Sequence, residues 1–195
     1  MSQIKDKTNN YILIDDIPDD LKNAIISTED KRFNYHFGID PLAIARATYL
    51  NIKNKEILQG ASTITQQLAK NLFLSNDQNF TRKFKEMILA FQIEKEYSKD
   101  QILEMYLNVI YFGSDSYGIG DASKNYFNKK VCDLSLSECA LIAGLPQAPS
   151  LYNPNVNFEA AKNRQEEVLK LMERNGFINK STLIDAIGSS IAIFK

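Results

Sequence analysis

A mainly α fold is what this chain predicts, on three observations. Apolar residues recur at helical spacing in one stretch after another, helix-type caps and stops bracket those stretches, and hardly any run alternates as a strand does. Its 195 residues leave room for one domain with a sizeable core, with or without a small lobe. Hydrophobic residues at 44% and charged ones at 24% are ordinary for a globular protein, and a net charge of -1 gives no overall basic excess that would argue for nucleic acid. The two cysteines, Cys132 and Cys139, suggest neither a disulfide framework nor a metal site, and are expected to be buried free thiols.

Residues 1–16 read as a polar tail followed by a short extended piece, Tyr11 to Ile14, and 17–195 as a single domain. Asp19 or Asp20 is expected to cap the helix that reaches Glu29. Asp40 as N-cap and Pro41 in the first turn open a second helix through Ala43, Ile44, Ala47 and Leu50, with Asn51 to Gln59 expected as a loop. Thr63 and Gln66 form a capping box for a helix whose Ile64, Leu68 and Leu72 make a buried stripe. A long helix runs from Thr81 to about Tyr97. Ser98 and Gln101 box the next, which buries Ile102, Leu103, Tyr106, Leu107 and Ile110. The glycines of 111–120 follow no strand and lack phosphate-loop spacing, which excludes a nucleotide site of that kind. Asp121 is expected to cap a short helix through Ala122 to Phe127. Ser135 and Glu138 then box the most apolar helix, Leu136 to Ala143, stopped by Gly144 and Pro146. An amphipathic helix from Glu159 to Asn175 and a last one from Thr182 to Ile187 complete a count of about nine.

Three stretches carry chemistry. Leu21, Ile25, Thr28 and Glu29 fall at i, i+4, i+7 and i+8, so Glu29 lies on the apolar side of a helix near its C-terminal end. Desolvation and the negative end of the helix dipole both disfavour its ionised form, which raises its pKa toward that of a general base. The same stretch, with Asp30, Phe33 and the only histidine, His36, also reads as a helix end with a solvated charge cluster. In 60–71, Thr63, Gln66 or Gln67, and Lys70 share a face rich in amides and hydroxyls with one cation at its far end, which suits a polar cleft wall. Arg82 and Glu86 form an i, i+4 pair: either an exposed pair contributing about 0.3 to 0.5 kcal/mol, or a pair turned into the cleft that Lys70 faces. Leu72-Phe73-Leu74 and Phe80 flank a loop as core or as a lipid-touching patch.

Together and in this order, these stretches resemble the peptidoglycan glycosyltransferase domain of glycosyltransferase family 51, found in class A penicillin-binding proteins and monofunctional transglycosylases. The motifs are Glu29-Asp30-x-x-Phe33-x-x-His36-x-Gly38-x-Asp40, the run Gly60 to Gln67 with Lys70-Asn71, Arg82-Lys83-x-x-Glu86 with Glu94 beyond, Tyr117-Gly118-Ile119 with Tyr126-Phe127, and Glu138-x-Ala140-Leu141-x-Ala143-Gly144-Leu145-Pro146-Gln147-x-Pro149. They run from about Ile17 to Ile187.

The resemblance implies a lysozyme-like helical lobe with a small, mobile, membrane-facing lobe at roughly 41–82. It implies polymerisation of lipid II into β-1,4-linked glycan strands by inverting transfer from a polyprenyl-pyrophosphate-linked donor. A lysozyme-like hydrolase and a non-catalytic glycan-binding domain are the alternatives. Glu29 is implied as general base for the acceptor's 4-hydroxyl. Glu86 is implied as the second essential carboxylate, orienting the diphosphate or helping to hold a divalent cation such as Mg2+. Lys70 and Arg82 would meet the diphosphate, with Lys83 adding positive field. Ser62, Thr63, Gln66, Gln67 and Gln147 would supply neutral hydrogen bonds. Asp30, Phe33 and His36 complete the implied substrate positions, although His36 reads first as tying its loop and Phe33 as packing. The implied setting is the extracytoplasmic face of a bacterial membrane, with lipid II, the nascent strand and other cell-wall synthesis proteins as partners. The family's usual N-terminal membrane helix does not occur in these residues, and Gln78 stands where several members carry a base. The only Ser-x-x-Lys, from Ser2 to Lys5, has no transpeptidase-type partner motif.

Overall fold

The computed structural model describes residues 10–54, 60–74 and 80–194. Among them lie nine α-helices: α1 (Asp19–Glu29), α2 (Pro41–Asn54), α3 (Ile64–Phe73), α4 (Phe80–Glu96), α5 (Lys99–Val109), α6 (Ile119–Phe127), α7 (Leu136–Gly144), α8 (Phe158–Arg174) and α9 (Lys180–Gly188). The one β pairing among the described residues is an isolated antiparallel bridge between Tyr111 and Tyr117. The mainly α expectation holds. The chain divides into two compact units, one of Met1–Lys31 with Leu103–Lys195 and one of Arg32–Ile102. The stretch 41–82 falls inside the second.

In the first unit, α7 is the central element. Its N-cap Ser135 and Glu138 form the expected capping box, and every residue from Ser137 to Gly144 is buried. So apolar a helix is stable only when covered on all sides, and both α1 and α8 pack on it. Leu21, Ala24 and Ile25 of α1 and Val168, Leu169 and Met172 of α8 are fully buried, each large one contributing about 1.5–3 kcal/mol. The segment before α1 is held by side chains of α5. Asn108 accepts from the Ile12 N–H and donates to the Ile12 carbonyl, both at 2.8 Å, while Glu104 accepts from the Tyr11 hydroxyl at 2.7 Å and the Ile14 N–H at 2.8 Å. Burial and the Glu104 carboxylate push the Tyr11 phenol well up.

In the second unit, α3 packs along α4. Ile64, Leu68 and Ala69 of α3 and Ala90 of α4 are fully buried, which is the stripe the sequence spacing predicts. Leu72, expected to continue it, is only half-buried.

Several boundaries differ from expectation. The helix leading to Glu29 takes Pro18 as its N-cap with no side-chain bond; Asp19 and Asp20 sit inside the first turn, where their charge suits the helix dipole. Gly118, not Asp121, caps α6, and the Asp121 carboxylate accepts from the Asn10 amide at 2.7 Å. Asn51 to Asn54 remain in α2, and 55–59 lie outside the described residues. Ile14 to Asp16 form a 3-10 turn where extended chain was expected at Ile14. Cys139 is buried, with its thiol pushed well up by burial, but Cys132 is exposed. Gln78 and the Phe80 side chain lie outside the described residues.

Gly118 has φ of +88°, and a Cβ on it would stand 2.6 Å from the Asn108 carbonyl oxygen. Gly118→Ala is therefore expected to lower stability by at least about 1–3 kcal/mol. Gly188→Ala, with nothing within 4 Å of its Cβ, serves as the control and should be neutral. Thermal midpoints of the two variants check this.

Candidate active site

The second unit holds a small polar pocket of about 140 Å³, lined by Ser62, Gln66, Gln67, Lys70, Arg82, Lys83 and Glu86. Two helices supply it. Thr63 is the N-cap of α3: its hydroxyl accepts from the Gln66 N–H at 3.1 Å and the Gln66 side-chain oxygen accepts from the Thr63 N–H at 3.1 Å, which fixes the first turn. With that turn fixed, Gln66, Gln67 and Lys70 follow on successive turns toward the pocket. On α4, Arg82, Lys83 and Glu86 fall at i, i+1 and i+4.

Glu86 is buried at 3% exposure, and both of its oxygens are engaged. Arg82 binds Oε1, and the Lys83 ammonium lies 2.8 Å from Oε2 while also donating to the Ser62 hydroxyl at 2.8 Å. An unpaired carboxylate here would cost several kcal/mol, so the pair is not the exposed surface bridge that i, i+4 spacing alone allows. Three cations against one carboxylate leave two positive charges unbalanced among the lining residues. A pocket of that charge in a partly dry setting favours an anion with several oxygens.

The loop Arg32–Asp40 is pinned in the same unit. Arg32 binds the buried Asp40, with Nε 2.9 Å from Oδ2, and Asp40 caps α2 by accepting from the Ala43 N–H at 2.8 Å. Thr63 donates its hydroxyl proton to the Gly38 carbonyl at 2.6 Å. Phe33 is buried at 1% exposure, edge-on to the His36 ring. Phe33 packs, and His36 accepts at its backbone carbonyl from Lys99 at 2.8 Å.

Of the remaining sequence-derived positions, Glu29 is the last residue of α1, half-buried, and Asp30 is its buried C-cap. Both belong to the first unit, as does Gln147, exposed in the 3-10 turn after α7. The structure thus gathers seven of the sequence-derived residues into one pocket and leaves Thr63, Phe33 and His36 among its supports.

Two features escaped the sequence reading. Tyr106, read only as core, is fully buried; burial first, and then the charges of Glu29 and Asp30, push its phenol well above the usual range. It therefore stays a neutral hydroxyl within electrostatic reach of both acids. The second is a polar knot of Thr65, Glu94 and Lys99. Glu94 appeared only as a motif position and Lys99 only as a residue of a cap sequence, because the Thr65–Glu94 and Lys99–His36 contacts span 29 and 63 residues and leave no local spacing.

A resident divalent cation fits this pocket poorly. Glu86 is its one carboxylate and is already engaged on both oxygens, and among the described residues no group of three His, Cys, Asp or Glu could hold a metal ion.

Fold and pocket describe a helical domain with a cationic polar pocket, and comparison with known proteins gives its family. A family model described as Transglycosylase matches residues 1–173. The chain belongs to that family, the peptidoglycan glycosyltransferases its motifs resemble. It is 48% identical over 185 residues to penicillin-binding protein 1A of Aquifex aeolicus, covering 95% of this chain and 26% of that protein. It is 52% identical over 168 residues to penicillin-binding protein 1A of Neisseria flavescens, covering 86% and 21%. Penicillin-binding protein 1F of Bacillus subtilis is 46% identical over 182 residues, covering 93% and 26%. The chain thus spans about a quarter or less of the curated relatives it matches. Among solved structures, the crystal structure of penicillin-binding protein 1A from Haemophilus influenzae aligns with a TM-score of 0.48 and 31% identity, over 68% of this chain and 17% of that one.

Proposed function

We propose that this chain polymerises lipid II, and that the cationic pocket built on Glu86 receives the donor's diphosphate. The observation that carries this reading is the excess of positive charge around a buried, doubly paired carboxylate in a domain of the transglycosylase family. Glu29 takes the proton from the 4-hydroxyl of the acceptor's terminal N-acetylglucosamine. That oxygen attacks C1 of the donor N-acetylmuramic acid from the face opposite the leaving group, so a new C1–O bond forms, α becomes β, and the bond from C1 to the diphosphate oxygen breaks. The electron pair leaves with the diphosphate, and Lys70, Arg82 and Lys83 stabilise the charge that develops there. Gln66, Gln67 and Ser62 contribute neutral hydrogen bonds around it. Gln147 supplies a further neutral hydrogen bond to the substrate, and Asp30 a substrate contact.

The hydrolase alternative needs a second carboxylate free to activate water or attack the sugar. Glu86, held by Arg82 and Lys83, is not disposed for either. A divalent cation enters the proposal only as cargo, carried in on the diphosphate oxygens. Chelation is then expected to lower polymerisation and leave thermal unfolding unchanged, whereas a lowered midpoint would point to a resident structural ion.

The second unit also carries an apolar outer surface. Phe84, Ile88 and Phe91 fall at i, i+4 and i+7 on α4 and are 63%, 44% and 46% exposed; Leu42, Tyr49 and Ile52 of α2 are 67%, 63% and 72% exposed, and Phe73 is 60% exposed. Such a surface suits contact with the lipid that carries the substrate, at the outer face of the bacterial membrane. No helix among the described residues is long and apolar enough to cross a membrane.

Glu29→Gln is expected to fold and to lose chain elongation on lipid II by about 10²–10⁴-fold, and Lys70→Ala to lower kcat by about 10²–10³-fold. Near-normal polymerisation by Glu29→Gln counts decisively against the assignment. Replacing Phe84, Ile88 and Phe91 with Ser is expected to weaken binding to phosphatidylglycerol vesicles while the helix content stays the same; unchanged sedimentation with vesicles removes the membrane role.

A further inference from the structure

We infer that Lys99, through Glu94 and Thr65, is a positioning residue that sets the shape of the anion pocket, an inference that rests on the diphosphate reading above. The Lys99 ammonium lies 2.7 Å from Glu94 Oε1, donates to the His36 carbonyl at 2.8 Å, and stands 4.5 Å from the centre of the Phe33 ring. The Thr65 hydroxyl donates to the same Glu94 oxygen at 2.6 Å. The side chain of Glu94 is only 3% exposed and that of Lys99 25%. One ammonium thus ties together α3, α4, the start of α5 and the loop after Arg32.

The consequence for the pocket follows from what else holds α3 to α4. Near the pocket one polar tie is Lys83, which bridges Ser62 and Glu86. Lys83 is also a group that an arriving phosphate attracts, so this tie weakens when the pocket fills. The bond from Thr65 to Glu94 lies a little over two helical turns farther along α4, about 12 Å from Glu86 along its axis. It does not compete with ligand. Thr65 immediately precedes Gln66, so the same bond sets the rotation of the helix that carries Gln66, Gln67 and Lys70. Lys99 holds the Glu94 carboxylate in place, and Gly38, whose added Cβ would stand 3.0 Å from the Ala90 carbonyl, lets the loop close against α4 from the same side. The knot is the anchor that persists while the pocket's own cations turn to the substrate.

Kinetics on lipid II with Lys99→Met, Thr65→Val and Lys99→Arg, each with its thermal midpoint, test this. Lys99→Met and Thr65→Val are expected to raise KM by about tenfold or more with a small change in kcat, because a displacement of about 1 Å at a binding group is that costly. Lys99→Arg keeps the cation and should recover most of the loss. A folded Lys99→Met with wild-type KM overturns the inference. So does a loss that follows the thermal midpoint in all three variants, which would make the knot purely structural. Wild-type kcat and KM in Lys70→Ala would instead sink the diphosphate reading, whatever Lys99 does.

Discussion

The constraint that organises this molecule is that a carboxylate taken out of water must be given partners. Besides Asp30, the C-cap of α1, five acids are nearly inaccessible, Asp40, Glu86, Glu94, Glu104 and Glu138, and each of the five is met by donors from its surroundings. Asp40 takes Arg32 and an N–H of α2; Glu86 takes Arg82 and Lys83; Glu94 takes Lys99 and Thr65; Glu138 takes Lys129 and the N–H of its own N-cap. Glu104 is met by neutral donors, the Tyr11 hydroxyl and the Ile14 N–H. All but Glu86, whose partners sit on its own helix, join segments distant in sequence or close a helix end, so the polar network carries connectivity that an apolar core alone would leave loose.

Among these, Glu86 differs in kind. The other four sit where their partners are fixed by packing, and their charge is spent on structure. Glu86 lines a pocket and carries more positive charge than it needs. On the proposed diphosphate reading, that excess suits a group leaving with negative charge, because cations already oriented by a carboxylate need little reorganisation when the bond breaks. The same carboxylate screens Arg82 and Lys83 from each other, so removing it would both weaken the cations' orientation and raise their mutual repulsion.

Legibility in the sequence followed the range of the interaction. Thr63 with Gln66, Ser98 with Gln101 and Ser135 with Glu138 are contacts over three residues, and all three helix starts appear where the spacing puts them. The start of α1 went astray because Asp19 and Asp20 satisfy the dipole without bonding as caps, which is a difference of backbone conformation that composition does not encode. Cys132, expected to be buried like Cys139, lies in a 3-10 turn of which only Val131 is buried. Arg82 and Glu86 were visible as a pair, but their burial was not, because it depends on α3 lying alongside. The role proposed for Gln147 rests on the motif resemblance alone, whereas periodicity put Glu29 on the apolar side of a helix end, where a general base is suggested without it.

The invisibility of Lys99 follows from the same physics. As part of Ser98-Lys99-Asp100-Gln101 it looks like an ordinary solvated residue in the first turn of a helix, where a positive charge is mildly unfavourable next to the helix dipole. A cation tolerated there, with a quarter of its side chain exposed, must gain more from its partners than it loses, and Glu94, the His36 carbonyl and the Phe33 face supply that gain. A residue that contradicts its local preference is therefore evidence of a tertiary demand. Here the demand comes from two helices that must keep one rotation relative to each other while the charges between them exchange partners.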